Sequence, residues 1–106
     1  MEIKATEAFE KSLAKLYKKD KYLLDTLEEF MKELQINSSL GVHLGNNRYK
    51  IRLQNRSANK GKSAGYRIIT YTKIEDTVVL VYIYSKSKTE TISDKKIDNI
   101  IANYKL

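Results

Sequence analysis

Apolar residues recur along this chain with two different periods. Phe9, Leu13, Leu16 and Tyr17 fall at i, i+4, i+7 and i+8, which is one face of a helix. Thr6 stands at the N-cap position, and the spacing predicts a helix running to about Lys18. Leu23, Leu24, Leu27, Phe30, Met31 and Leu34 repeat the pattern and predict a second helix over 21–34. A short link at Lys19-Asp20 makes the two an antiparallel helical hairpin. Residues 2–5 are a candidate first strand ahead of it. After Leu34 the pattern changes. NSSLGVHLGNN is turn chemistry, with Gly41 and Gly45 as breakers. RYKIRLQ then alternates, with Tyr49, Ile51 and Leu53 on one face and Arg48, Lys50 and Arg52 on the other. YRIITYT and VVLVYIY are rich in β-branched and aromatic residues, and IEDT between them reads as a hairpin turn. Ser93 is placed to cap a last helix that carries Ile97, Ile100, Ile101 and Tyr104 on one face. The order predicts an α+β fold in one domain, 1–106. The helical hairpin packs on a small antiparallel β-sheet with a C-terminal helix, and the second sheet face is partly open.

Strand alternation extends this to individual side chains. Val79, Val81 and Ile83 are expected in the core, with Leu80, Tyr82, Tyr84 and Lys86 facing the other way. Arg67 shares a face with Ile69 and Tyr71. If the outward sets coincide, one face presents Lys50, Arg52, Arg67, Tyr71, Tyr82, Tyr84 and Lys86. Cations interleaved with aromatic rings hold phosphates and stack unpaired bases. The plainer alternative is that the cations are only solvated and the tyrosines only packed.

Charge placement adds a separate observation. The net charge is +7, and no Asp or Glu lies between Glu33 and Glu75. That acid-free segment holds Arg48, Lys50, Arg52, Arg56, Lys60, Lys62, Arg67 and Lys73; outside it, acids outnumber bases by one. A clustered excess points to a polyanionic partner rather than to general solubility. The stretch RSANKGKSAGYR contributes four of these cations, spaced by small residues that build no core. There is no cysteine, so disulfide and thiolate chemistry are excluded, which suits a cytoplasmic protein. The N-terminal MEIKATEAFEK has no apolar run of the secretion type, and no segment reaches the ~18 apolar residues of a membrane span.

The same segment limits the chemistry. With a single histidine, His43, and no carboxylate, it lacks the ligands of a Mg²⁺ or Zn²⁺ nuclease, so no metal or other cofactor is expected. A Ser-His-Asp or Cys-His site is equally unsupported. Attack of an RNA 2′-hydroxyl on its adjacent phosphate suits Lys, Arg and Tyr, because the nucleophile is already in the substrate. Arginine and lysine stabilise the charge at phosphorus, and the candidate base is a lysine or a tyrosine whose pKa neighbouring cations lower.

The runs LGNNRYKIRL, KGKSAGYRIITY and IYSKSKTETIS, in that order over about residues 41–101, resemble the RelE/ParE superfamily of toxins of type II toxin–antitoxin systems, most closely its RelE/HigB-like branch. The resemblance implies a small RelE-fold toxin held inactive by a cognate antitoxin protein. It further implies a metal-independent endoribonuclease, an mRNA interferase that cuts mRNA on the ribosome and inhibits translation. Lys50 and Arg52 match the paired bases of the KI[KR]L strand, and Arg67 the arginine that contacts the scissile phosphate. Lys86 lies where another basic active-site residue is placed, while Ser87 stands where some members carry an arginine. Ser93 lies near the position of a C-terminal catalytic tyrosine, for which Tyr84 is the candidate replacement. Arg48, Arg56, Lys60, Lys62, Tyr71 and Tyr82 are the expected RNA contacts around them. Two alternatives stay open: a ParE-like non-nuclease that acts on DNA gyrase by protein contact, and a plain RNA-binding module.

Overall fold

A computed structural model describes residues 1–56, 65–73, 75–88 and 92–104. Its elements run β1 (Glu2–Ala5), α1 (Glu7–Tyr17), α2 (Leu23–Ile36), β2 (Val42–Gly45), β3 (Arg48–Leu53), β4 (Tyr66–Tyr71), β5 (Thr77–Ser85) and α3 (Asp94–Asn103). The expected helices and strands are present, and the strand over 2–5 is β1. Two points of the element order and sheet type differ from expectation. Val42–Gly45, read as turn, is a strand, and the sheet is mixed. Its five strands lie in the order β1-β5-β4-β3-β2, with β1 parallel to β5 and the other pairs antiparallel. The β2–β3 connection explains why turn chemistry and strand coexist there. Asn46 and Asn47 both have positive φ (52° and 65°), as a tight I′-like hairpin turn requires, and asparagine tolerates that region best after glycine.

Both caps are made as the sequence implies: Thr6 Oγ1 accepts from the Phe9 amide at 3.0 Å and Ser93 Oγ from the Lys96 amide at 3.1 Å. The apolar stripes of α1 and α2 then meet one sheet face. Phe9, Leu23, Leu27, Phe30 and Leu34 pack with Ile51, Leu53, Tyr66, Ile68, Val78, Leu80 and Ile83. Leu24, counted in the helical stripe, is instead exposed. The other face carries a second, smaller core, in which Ile97, Ile100 and Ile101 of α3 and its C-cap Tyr104 pack against Ile69, Val79, Val81, Tyr71, Tyr82 and Tyr84.

One residue of β5 decides which side chains face which core. Leu80 pairs with Thr70 and Tyr82 with Ile69, so Val81 is an extra residue with no partner of its own on β4. The bulge corrects the alternation read from the sequence. Leu80 faces the helical hairpin, Val79 and Val81 face α3, and beyond the bulge Ile83 returns to the hairpin side, leaving Tyr82 and Tyr84 on the α3 side. Thr6 secures the bulge. Its hydroxyl donates to the Val81 carbonyl at 2.7 Å while its amide donates to Leu80 O at 3.0 Å, so β1 hands the edge of β5 over to α1. Ser12 Oγ continues the cover with a bond to Ile83 O. Thr6→Val removes both the helix cap and the donor to a buried carbonyl. It is expected to lower the unfolding free energy by about 2 kcal/mol in urea titration, with Thr6→Ser close to the parent.

Candidate nucleic-acid interface

The pairing of β3, β4 and β5 aligns three rows of side chains on the α3 face of the sheet. Arg48 lies opposite Tyr71, which lies opposite Val79. Lys50 lies opposite Ile69 and then Tyr82. Arg52 lies opposite Arg67 and then Tyr84. Directly opposed residues share a face and stand about 5 Å apart at Cα. The expected juxtaposition of Lys50, Arg52, Arg67, Tyr71, Tyr82 and Tyr84 is therefore present. Lys86 follows one residue past β5, its amide donating to Gly65 O at 3.0 Å. Lys60 and Lys62 lie outside the described residues.

Bases at the rim differ from those at the centre. Arg48, whose side chain is 16% exposed, is ion-paired with Asp98 of α3, and Arg56 with Glu29 of α2. These two expected RNA contacts thus hold carboxylates in this structure. Lys50, Arg52 and Arg67 form no ion pair with a carboxylate among the described residues. Arg67 is only 5% exposed, and its Nη1 donates to the Tyr66 carbonyl at 3.0 Å. Burial pushes its guanidinium pKa down, and the facing Arg52 adds to this by like-charge repulsion. Two arginines opposed across adjacent strands are unfavourable unless an anion joins them.

Tyr84 completes the row. It is 4% exposed, and its hydroxyl has no hydrogen-bond partner among the described residues. Burial raises its pKa, against a smaller opposing pull from Arg67. The expectation of a tyrosine with a lowered pKa is thereby corrected for Tyr84: desolvation of the phenolate outweighs the attraction of the cation. Tyr82 stacks against Tyr84 with ring centroids 6.3 Å apart, and Lys96 of α3 sits 4.5 Å above the Tyr82 ring and donates to its hydroxyl at 3.3 Å. Tyr71 and Tyr82 are half-buried against the second core. The packing role weighed for these tyrosines is thus realised. Sequence reasoning did not single out Lys96 or Asp98, because nothing local marks a helix residue that will lie over a distant strand.

Other features of the structure lie apart from this row. A cleft of about 700 Å³ between α1 and α3, bounded by Thr6, Lys11, Asn99 and Tyr104, contains none of the expected site residues. No group of three or more His, Cys, Asp or Glu among the described residues is arranged to hold a metal ion. His43 lies on β2, exposed, 4.9 Å from the Tyr49 ring. No described helix is long and apolar enough to cross a membrane.

A mixed sheet between a helical hairpin and a terminal helix, bearing a basic row with no ion-paired carboxylate among the described residues, defines a small α+β protein. Residues 1–104 match the family described as the RelE toxin of the RelE / RelB toxin–antitoxin system, and the chain belongs to that family. It is a toxin of a toxin–antitoxin system, which implies an antitoxin as partner. No curated protein matches the sequence.

The orphaned Tyr84 hydroxyl makes a stability prediction. A buried hydroxyl without a partner costs free energy, so Tyr84→Phe is expected to raise the unfolding free energy by about 1 kcal/mol in the absence of ligand. A fall of that size in urea titration would mean that the hydroxyl is satisfied.

Proposed function

We propose that this toxin is a metal-independent, ribosome-dependent mRNA endoribonuclease that acts by 2′-hydroxyl attack on the adjacent phosphate. The observation that carries this reading is the Arg52–Arg67–Tyr84 row, two cations and a neutral donor converging where no carboxylate among the described residues forms an ion pair with them. A scissile phosphate seated there relieves the repulsion between the arginines and gives the Tyr84 hydroxyl an acceptor. Family membership supports the same reading.

In this mechanism the 2′-oxygen bonds to phosphorus as the P–O5′ bond breaks, leaving a 2′,3′-cyclic phosphate and a 5′-hydroxyl. Arg67 and Arg52 stabilise the charge that builds on the non-bridging oxygens, worth most where burial lowers the local dielectric. Tyr84 keeps its proton, because burial raises its pKa, and donates to a phosphoryl oxygen or to the departing 5′-oxygen. Lys50 and Lys86 flank the row and are the candidates to take the 2′-proton or to hold a neighbouring phosphate. Tyr71 and Tyr82 support the row, and Lys60 and Lys62 supply backbone contacts to RNA. The protein works in the cytoplasm, where ribosomes are its target and the antitoxin its inhibitor.

Controlled expression with transcript-end mapping tests this. The parent is expected to create new 5′ ends within translated codons, and Arg67→Ala to keep the fold but slow cleavage by about 10²–10³-fold and relieve growth arrest. DNA damage with intact mRNA would instead mark a gyrase-directed toxin, and salt-sensitive RNA binding without cleavage a binding module. The donor role of Tyr84 also sets the pH profile. A tyrosine base would give a rising limb near neutral pH. A protonated donor gives none, and its own loss comes only above the ordinary tyrosine value of about 10. Tyr84→Phe is therefore expected to lower the cleavage rate at pH 6 and pH 8 by the same factor.

A further inference from the structure

Arg67 is the second residue of β4, close to the end of the sheet, where strands fray. Its neighbour Tyr66 occupies the last ladder position, between Leu53 and Ser85. Because successive side chains alternate, Tyr66 points away from the basic face and into the helical-hairpin core. There its hydroxyl donates to Oδ2 of Asp20 at 2.8 Å. Asp20 sits in the turn between α1 and α2, and its Oδ1 accepts from the Tyr22 amide at 3.0 Å while its own amide donates to Leu16 O. Asp20 is 2% exposed and Tyr66 3%, so this polar contact is shielded from water on all sides. Burial, followed by the hydrogen bond to Asp20 and its charge, pushes the Tyr66 phenol pKa up.

We propose that Asp20 and Tyr66 are a positioning pair for Arg67, acting from the opposite face of the sheet. The clamp holds the Tyr66 backbone, and it is the Tyr66 carbonyl that receives Arg67 Nη1 at 3.0 Å. The guanidinium is thereby fixed by a residue that cannot touch substrate. A hydrogen bond in a dry core, anchored to a helix turn, stops the end of β4 from opening where the basic stretch enters the sheet. Precise placement of the phosphate-binding group then depends on a carboxyl 47 positions earlier in the chain, among the acids of the N-terminal half.

The activity arm of the test rests on the ribonuclease reading, and the NMR arm does not. Tyr66→Phe is compared with Leu27→Ala, which weakens the same core without touching the clamp, both at a temperature where they are folded. In Tyr66→Phe the Arg67 Nε–H signal is expected to broaden or vanish. Single-turnover cleavage should fall by at least about tenfold with ribosome affinity unchanged. Leu27→Ala should keep both the signal and the rate. If Tyr66→Phe does not fold, Asp20→Leu combined with Tyr66→Phe removes both polar partners together and serves in its place. A sharp Arg67 signal in the clamp variant, or equal losses in Leu27→Ala, overturns the proposal. If the parent itself does not cleave, the ribonuclease reading fails while the NMR comparison still decides the positioning role.

Discussion

The register that ties β3, β4 and β5 together is the constraint on which the rest of the molecule depends. It sets Arg52, Arg67 and Tyr84 side by side, and it sorts the remaining apolar residues between two cores. The extra residue at Val81 is what makes this possible. Without it, strict alternation would send Tyr82 and Tyr84 to the helical-hairpin side or Leu80 away from it. Since a bulge leaves backbone groups unpaired, it needs support, and Thr6 provides it from the junction of β1 and α1. The N-terminal segment therefore shapes the basic face although it contributes nothing to it.

Free energy is distributed unevenly across the sheet. On the hairpin side, large side chains are fully buried and polar groups such as Asp20 and Tyr66 satisfy each other. On the α3 side a buried arginine faces another arginine, and a buried hydroxyl lacks a partner among the described residues. Such groups cost stability in the free protein, and in the proposed mechanism a bound phosphate offsets that cost. Carboxylates are not scarce nearby, since Glu29 and Asp98 take up Arg56 and Arg48. They neutralise the rim, while the central row has no ion pair with a carboxylate among the described residues. The terminal helix belongs to this balance: it is held over the face by Ile97, by the Asp98 pair and by Lys96 on the Tyr82 ring.

Much of this was legible in the chain itself. Helices α1, α2 and α3 follow from the 3.6-residue spacing of their apolar positions, and two of the three N-caps from Thr6 and Ser93. Strands β3, β4 and β5 follow from alternation and β-branched content. The acid-free segment located the basic face, and local alternation placed Lys50, Arg52 and Arg67 on it, because period-2 geometry acts over a few residues. What was not legible has a common cause. Val42–Gly45 forms a strand only through pairing with β3; its side chains are mostly exposed, so no buried period marks it. The bulge sits inside VVLVYIY, where every residue is apolar enough for either face, so the sequence carries no sign of a slip. The raised pKa of Tyr84, the Arg48–Asp98 pair and the Asp20–Tyr66 clamp depend on segments distant in sequence meeting in space. Local pattern determined which elements form and where the charge lies. Tertiary packing alone decided which charges are neutralised, which proton is held, and what keeps Arg67 in place, because burial and long-range contact do not exist until the chain has folded.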